Sequence, residues 1–447
     1  MGEALRSSRR WRPRTRRAPR AAYAAALACA AATAGCSGGA PAGHGNGTNP
    51  ALVEQAKSDL SRRVPDATGD AVAALVQGNT RFAFDLFHEL AADDNLLFAP
   101  QSISTALAML YAGAGAGTRT ELQTALHFGD DDAELNAAFN TLDQALEGRE
   151  DDARTAAGNA FRLSLVNAAW AQKGYAFLPS YLDVLAQNYG AGLNLVDFRG
   201  NAAGARDTIN RWVSAETAGK IPELVTPDSL SGNVMLVLTN AVYFKAVWAS
   251  PFDPNQTVSG GFSLLDGSSA DVPLMHAVLE APFVSTDAYQ AAELDYAGGE
   301  LSMLVVVPAA GTFVAFRDAF DATALEQVAA SLAAPSELGV TLPRFHIQSK
   351  WSLPGALGAL GVDTLFSGRA DLSGIDGSND LFVKDVIHQA FADVNETGTE
   401  AAGGTAVVIG KHAVASTLDA TRPLLFVIRD KPTGAVLFMG ALIDPRD

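Results

Sequence analysis

Between Asn395 and Ser416 the chain reads NETGTEAAGGTAVVIGKHAVAS, and this stretch restricts the fold more than any other. A β-strand sends alternate side chains to opposite faces. One alternate set here is Thr399, Ala401, Gly403, Thr405, Val407 and Ile409; the other is Glu400, Ala402, Gly404, Ala406, Val408 and Gly410. The first set is small or apolar throughout, and Glu400 is the only charge in the second. Such a segment suits a strand buried in the middle of a sheet. Two adjacent glycines weaken a strand, however, and a surface loop of small residues that never enters a sheet is the other placement. Beyond the run, Lys411 and His412 stand side by side ahead of Ala413, Val414 and Ala415.

Around this stretch, helices come early and strands late. GNTRFAFDLFHELA sets Phe82, Leu86, Phe87 and Leu90 on one helical face. PQSISTALAMLYAGAGAGT opens with Pro100 and Ser102, aligns Ile103, Ala106, Leu107 and Leu110, and stops in glycines. RDTINRWVSAETAGK reads as a further amphipathic helix closed by Gly219. SLVNAAWAQ, NVMLVLTNAVYFKAVW, LSMLVVVP and GVTLPRFHIQ combine β-branched and aromatic residues and read as strands. PLLFVIRDKPTGAVLFMGALIDP reads as a hairpin turning between Asp430 and Gly434. Without strict strand–helix alternation, the pattern predicts an α+β fold around mixed or antiparallel sheets. The 447 residues are 48% hydrophobic, ample for a large core, and length alone points to two or three domains.

The first 35 residues hold eight arginines and one glutamate. RSSRRWRPRTRRAPR is a basic lead, and AAYAAALACAAATAG is an apolar run of fifteen residues, too short to span a bilayer comfortably. TAGC then ends at Cys36. That resembles a bacterial lipobox, whose cysteine is lipidated and becomes the mature N-terminus, with Thr33 where leucine is usual. Arg9-Arg10 leaves a twin-arginine export route open, and plain secretion with cleavage nearby is the alternative. Residues 1–35 are thus expected to be a lipoprotein-type signal peptide. Residues 36–50, SGGAPAGHGNGTNP after Cys36, are expected to be a flexible tether with a coil span of about 20 Å. A charged amphipathic pattern starts near Ala51. The expected address is extracellular, on the outer face of the cytoplasmic membrane through Cys36, or else secreted. Cys29 would be lost with the leader, so Cys36 leaves no intramolecular disulfide.

The formal net charge is −17, and without the leader 24 basic face 48 acidic side chains. Such a surface repels phosphate backbones and polyanions, so neither nucleic acid nor heparin is an expected partner. There is no G-x-S-x-G, H-E-x-x-H, C-x-x-C or G-x-x-x-x-G-K-[ST]. The seven histidines are scattered without helix-ligand spacing, so no metal is expected. AGAGAGT, Ala112 to Thr118, follows a helix instead of a strand, the wrong order for a dinucleotide loop, and reads as a helix stop and turn. Nothing marks a catalytic nucleophile or a cofactor, which weakens a hydrolase reading.

Five long segments occur in the order of one known family. NLLFAPQSISTALAMLYAGAGAGTRTEL, INRWVSAETAGKIPELV, LTNAVYFKAVWASPF, VIHQAFADVNETGTEAAG and RPLLFVIRDKPTGAVLFMG resemble segments of the serpins. The resemblance runs from about Asn79 to Pro445 and implies one domain, 51–447, against the length prior. It implies three β-sheets, about nine helices and an exposed reactive loop at about 396–421. It also implies a non-enzymatic, cofactor-free, monomeric suicide inhibitor. A serine protease attacks the loop of such a protein, and the loop then enters the largest sheet and traps the acyl-enzyme. A cysteine protease target is an open alternative, as is a non-inhibitory serpin that binds, carries or chaperones.

Site residues follow from the same resemblance. The hinge is Glu396, Gly398, Thr399, Glu400, Ala401, Ala402, Gly403 and Gly404, with Thr399 the first residue expected to turn inward as the strand enters. The two adjacent glycines depart mildly from an alanine-rich hinge. The scissile bond is His412–Ala413, with Lys411–His412 as runner-up. The two bonds, with Val414 and Ala415, leave trypsin-, chymotrypsin-, elastase- and subtilisin-like targets open. Ser102, Asn240 and His388 match the polar shutter beneath the opening sheet, where Ala99 replaces a serine of the family. Trp248 matches the loop entry point, and Arg344 is placed to pair with Glu396.

Overall fold

Apolar side chains recurring from Leu75 to Leu90 form one face of a helix spanning Gly69–Leu90. The Thr68 hydroxyl caps it by accepting the Ala71 N–H, and Phe82, Leu86 and Phe87 are wholly buried. Pro100 starts the helix Pro100–Tyr111, at a position whose N–H would lack a partner anyway. Every residue of that helix is buried, so it runs through the core with Ser102 and Ser104 inside. The glycines after it end it, and Ala116–Ala125 begins a new helix within AGAGAGT. The computed structural model describes residues 53–157, 162–230, 234–399 and 416–446. All of them belong to one unit, Asn49–Asp447. The expected leader and Cys36 lie outside the described residues.

Three sheets surround these helices. The largest has seven strands, in the order Gln55–Ala56, Leu193–Val196, Arg162–Gln172, Leu236–Val247, Gly398–Thr399, Val383–Val394 and Phe345–Ser352. A six-stranded sheet orders Leu96–Phe98, Val436–Leu442, Leu424–Asp430, Leu301–Pro308, Tyr289–Asp295 and Phe283–Ser285. A four-stranded sheet orders Ser416–Asp419, Ser336–Pro343, Ser269–Ala281 and Val258–Ser263. With ten α-helices among the described residues, this is the α+β architecture expected, with one helix more than the expected nine.

The terminal hairpin forms as read. The Asp430 carboxylate accepts the N–H and hydroxyl of Thr433, and Gly434 takes the positive φ of +79° that closes the turn. One strand reading needs correction. GVTLPRFHIQ is two strands in two sheets: Ser336–Pro343 ends paired with Leu274, and Phe345–Ser352 begins paired with Val394. Pro343 has no N–H to continue a ladder, and the Arg344 N–H turns aside to the Pro273 carbonyl. The amphipathic pattern near Ala51 also yields no helix in the described residues before Gly69. Its only regular element there is the two-residue strand Gln55–Ala56.

Candidate functional site

The large sheet has a seam. Leu236–Val247 and Val383–Val394 pair in parallel from Leu236–Val383 up to Tyr243–Phe391. Parallel pairing needs a covered sheet, and these strands are buried almost throughout. Above Tyr243 the two strands part and Gly398–Thr399 lies between them, antiparallel to both. Thr399 pairs with Ala246 on one side and Val394 on the other. Thr399 has no exposed surface, and its hydroxyl lies 2.8 Å from the Tyr296 oxygen. This corrects the expectation that Thr399 turns inward only as a strand enters: it is already inside. The reason is local. At Gly398 a Cβ would come 1.9 Å from the Ala246 carbonyl oxygen, so only glycine lets the chain slip this close.

A cluster mounts this wedge. The Trp248 ring stacks on Tyr296 at 4.6 Å, and its Nε1–H donates to the Asn395 carbonyl at 3.0 Å. The Trp248 and Phe252 N–H groups donate to the carbonyls of Thr397 and Glu396 at 2.9 and 2.8 Å. The Glu396 carboxylate is nearly buried and accepts from Arg344 Nε at 2.6 Å, from Arg344 Nη2 and from the Thr257 hydroxyl. Burial alone would raise its pKa, but the Arg344 and Thr257 hydrogen bonds outweigh that and hold it below the usual range. Arg344 and Glu396 are therefore paired and not separately solvated.

Lower on the seam, Ser102, Asn240 and His388 come together although they lie far apart in sequence. The Ala99 N–H donates to His388 Nε2 at 3.1 Å. That fixes the tautomer, and Nδ1–H donates across the seam to Asn240 Oδ1. Asn240 Nδ2 donates to Ser102 Oγ at 2.6 Å and to Asn167 Oδ1. The Ser102 hydroxyl donates to the same Asn167 oxygen at 2.9 Å. His388 and Asn240 are wholly buried, and burial pushes the His388 pKa down to about 3. The imidazole is thus neutral. With Ala99 in place of a serine, no buried side-chain atom of Ser102, Asn167, Asn240 or His388 is left unpaired; among the described residues the buried side-chain atoms without a partner are Asn188 Oδ1 and Gln389 Oε1.

Sequence reading did not find Asn167, Tyr296 or Thr257. Each is an ordinary residue type in a strand or loop, and only the register brings it to its partner. Glu400, Ala401, Ala402, Gly403, Gly404, Lys411, His412 and Ala413 lie outside the described residues. The far end of the expected loop, Ser416–Asp419, is a strand paired in parallel with Leu338–Thr341. Among the described residues there is no cluster of three or more His, Cys, Asp or Glu placed to hold a metal. No helix there is long and apolar enough to cross a membrane.

A protein-family match covers residues 77–445, and that family is described as Serpin (serine protease inhibitor). The chain is 37% identical over 379 residues to an uncharacterized serpin-like protein of Thermococcus kodakarensis, covering 83% of this chain and 86% of the relative. It is 35% identical over 393 residues to leukocyte elastase inhibitor A of Mus musculus, covering 83% of this chain and 99% of the relative. Among solved structures, uncleaved ovalbumin matches with a TM-score of 0.73 at 28% identity, over 83% of this chain and 100% of that one. Tengpin, a thermophilic serpin in its native state, matches with a TM-score of 0.74 at 22% identity, over 87% of this chain and 97% of that one. A seven-stranded sheet with a central seam, a wedge at its top and matches along most of the chain have one reading: the chain belongs to the serpin family, whose members are in general protease inhibitors and not catalysts.

Proposed function

We propose that this chain is a suicide inhibitor of serine proteases that acts by inserting the segment after Thr399 into the seam. The observation that carries the reading is the wedge, two residues already paired antiparallel to both seam strands. Continuing that register sets Ala401 between Phe244 and Ala392, Thr405 between Asn240 and His388, and Val407 between Leu238 and Val386. Thr399, Ala401, Thr405 and Val407 then share the inward face. Insertion must break the His388–Asn240 bond that spans the seam. Thr405 brings a hydroxyl, both donor and acceptor, to the place where that bond is lost. One parallel ladder is exchanged for two antiparallel ones, which are slightly the more stable per residue.

In this reading the protease serine attacks the His412 carbonyl, the amine of Ala413 leaves, and an ester to His412 forms. Lys411–His412 is the neighbouring bond that a trypsin-like enzyme would choose. Insertion carries the ester-linked protease away before water can cleave it. Ser102, Asn240 and His388 hold the seam shut until then, and Trp248, Arg344 and Glu396 hold the hinge. The leader and Cys36 support export and lipid anchoring outside the cytoplasmic membrane, with the protein acting as a monomer without cofactor. The test is incubation with trypsin-, chymotrypsin-, elastase- and subtilisin-like proteases. A covalent complex that survives detergent, with the cut mapped to Lys411–Ala413, is expected. Cleavage by every protease without any complex would overturn the reading.

A further inference from the structure

We infer that residues 54–67 form a strap that slows loop insertion, an inference that rests on the insertion reading above. The first half of the strap belongs to the large sheet. Gln55 and Ala56 pair antiparallel with Asn194 and Leu193. The Leu195 N–H donates to the Glu54 carbonyl at 2.7 Å, and the Gln55 amide donates to Asn194 Oδ1 at 2.8 Å. The second half belongs to the helix Asp132–Ala157. Arg62 donates to Asn140 Oδ1 at 3.0 Å and Glu147 Oε1 at 2.9 Å, and it pairs with Asp143. The Arg63 carbonyl accepts from the Asn140 and Gln144 side chains at 3.1 and 2.9 Å. The Ala67 N–H donates to Thr141 Oγ1 at 3.2 Å.

The seat is shaped for this segment. At Gly192 a Cβ would stand 2.9 Å from both the Ala56 carbonyl oxygen and Lys57 Cβ. At Gly190, with φ +60°, it would stand 3.1 Å from Arg62 Cδ. Beneath the strap lies a cavity of about 640 Å³, lined by Gln55, Arg62, Asp143 and Asn194 and reaching Asn167 of the seam network.

Admitting a strand at the seam widens the sheet by about 4.8 Å, one strand spacing. Arg162–Gln172, Leu193–Val196 and Gln55–Ala56 are hydrogen-bonded in series to Leu236–Val247, so they shift with it as one body. The helix Asp132–Ala157 packs on Gly69–Leu90, outside that body, as well as on Leu185–Tyr189, so it stands between the moving strands and the rest of the core. The two halves of the strap are then pulled apart, and the contacts of Arg62 are the ones stretched.

The test follows uptake of a synthetic peptide, TEAAGGTAVVI, with the sequence of residues 399–409, by the otherwise intact full chain. Arg62→Glu turns the strap's cation against Asp143 and Glu147, and Gly192→Val fills its seat without changing charge. Both are expected to raise the uptake rate about tenfold. The double exchange Arg62→Glu with Asp143→Arg restores the pair and should return the rate toward that of the parent. A general loss of folding would not be repaired in this way. Equal rates for parent and variants, with the parent taking up peptide, would overturn the strap and leave insertion standing. No uptake by any of them, together with no stabilisation on loop cleavage, would overturn insertion and the strap together.

Discussion

Thr399 is wholly buried with its hydroxyl on Tyr296, so an arginine there has no room and no partner. Burying an unpaired charge costs several kcal/mol or more. Thr399→Arg is therefore expected to expel the wedge and slow insertion by orders of magnitude, since each 1.4 kcal/mol is about tenfold. On a denaturing gel the variant should give cleaved chain and free protease in place of the complex, while Glu400→Arg, on the other face, does much less. His388 gives a second test, in pH. Its folded pKa, about 3, lies below the ordinary 6.5. Below pH 6.5 the unfolded chain takes up a proton that the folded one refuses. The stabilisation is thus complete above about 6.5 and lost progressively as pH falls toward 3. By pH 4.5 the loss amounts to about 3 kcal/mol. The rate of native-state loss should rise over that window, and His388→Gln should lack this component; an identical pH profile in the variant would exclude it. At this scale Ser102, Asn240 and His388 were legible only through long flanking motifs that resemble a family. Asn167 was not, because a lone asparagine in a strand carries no periodicity and acquires its meaning only opposite Asn240.

The elements followed from the sequence wherever one period ran unbroken. The stripes of Gly69–Leu90 and Pro100–Tyr111 and the terminal hairpin are local patterns, set by side chains three, four or two positions apart. The change of sheet at Arg344 was not legible, since apolar and polar residues alternate straight through Pro343 and only the choice of partner strand changes. The wedge was hidden for the same reason: Gly398 reads as a turn residue until the Ala246 carbonyl stands against it. The seam itself is an element-scale device that one residue spans. Asn240→Ala removes the acceptor of the buried His388 Nδ1–H and the donor to Ser102 and Asn167. Each orphaned buried group costs about 1–3 kcal/mol. The seam should open more easily, and inhibitory activity should decay faster on incubation than in the parent. An unchanged half-life would mean that this network does not hold the sheet shut.

For the whole molecule, address and metastability are separate questions. Cys36 follows a basic and then an apolar stretch and precedes a stretch rich in glycine, proline, serine and asparagine. Cys36→Ala is expected to move the protein from the membrane fraction to the medium, and unchanged retention would argue against a lipid anchor. The central claim is that the native chain is a trapped state whose two paired seam strands can part below Thr399 to admit one more strand. Its loss on heating is then governed by a rate rather than an equilibrium. Admitting that strand satisfies backbone groups and buries Ala401, Thr405 and Val407. The most direct measurement is to cut the chain between Gly410 and Ala415 with a protease it does not trap, and to compare melting curves of cut and intact protein. The cut form should melt at least about 10 °C higher. Superimposable curves would contradict the account, because they would mean that the freed segment never enters the sheet.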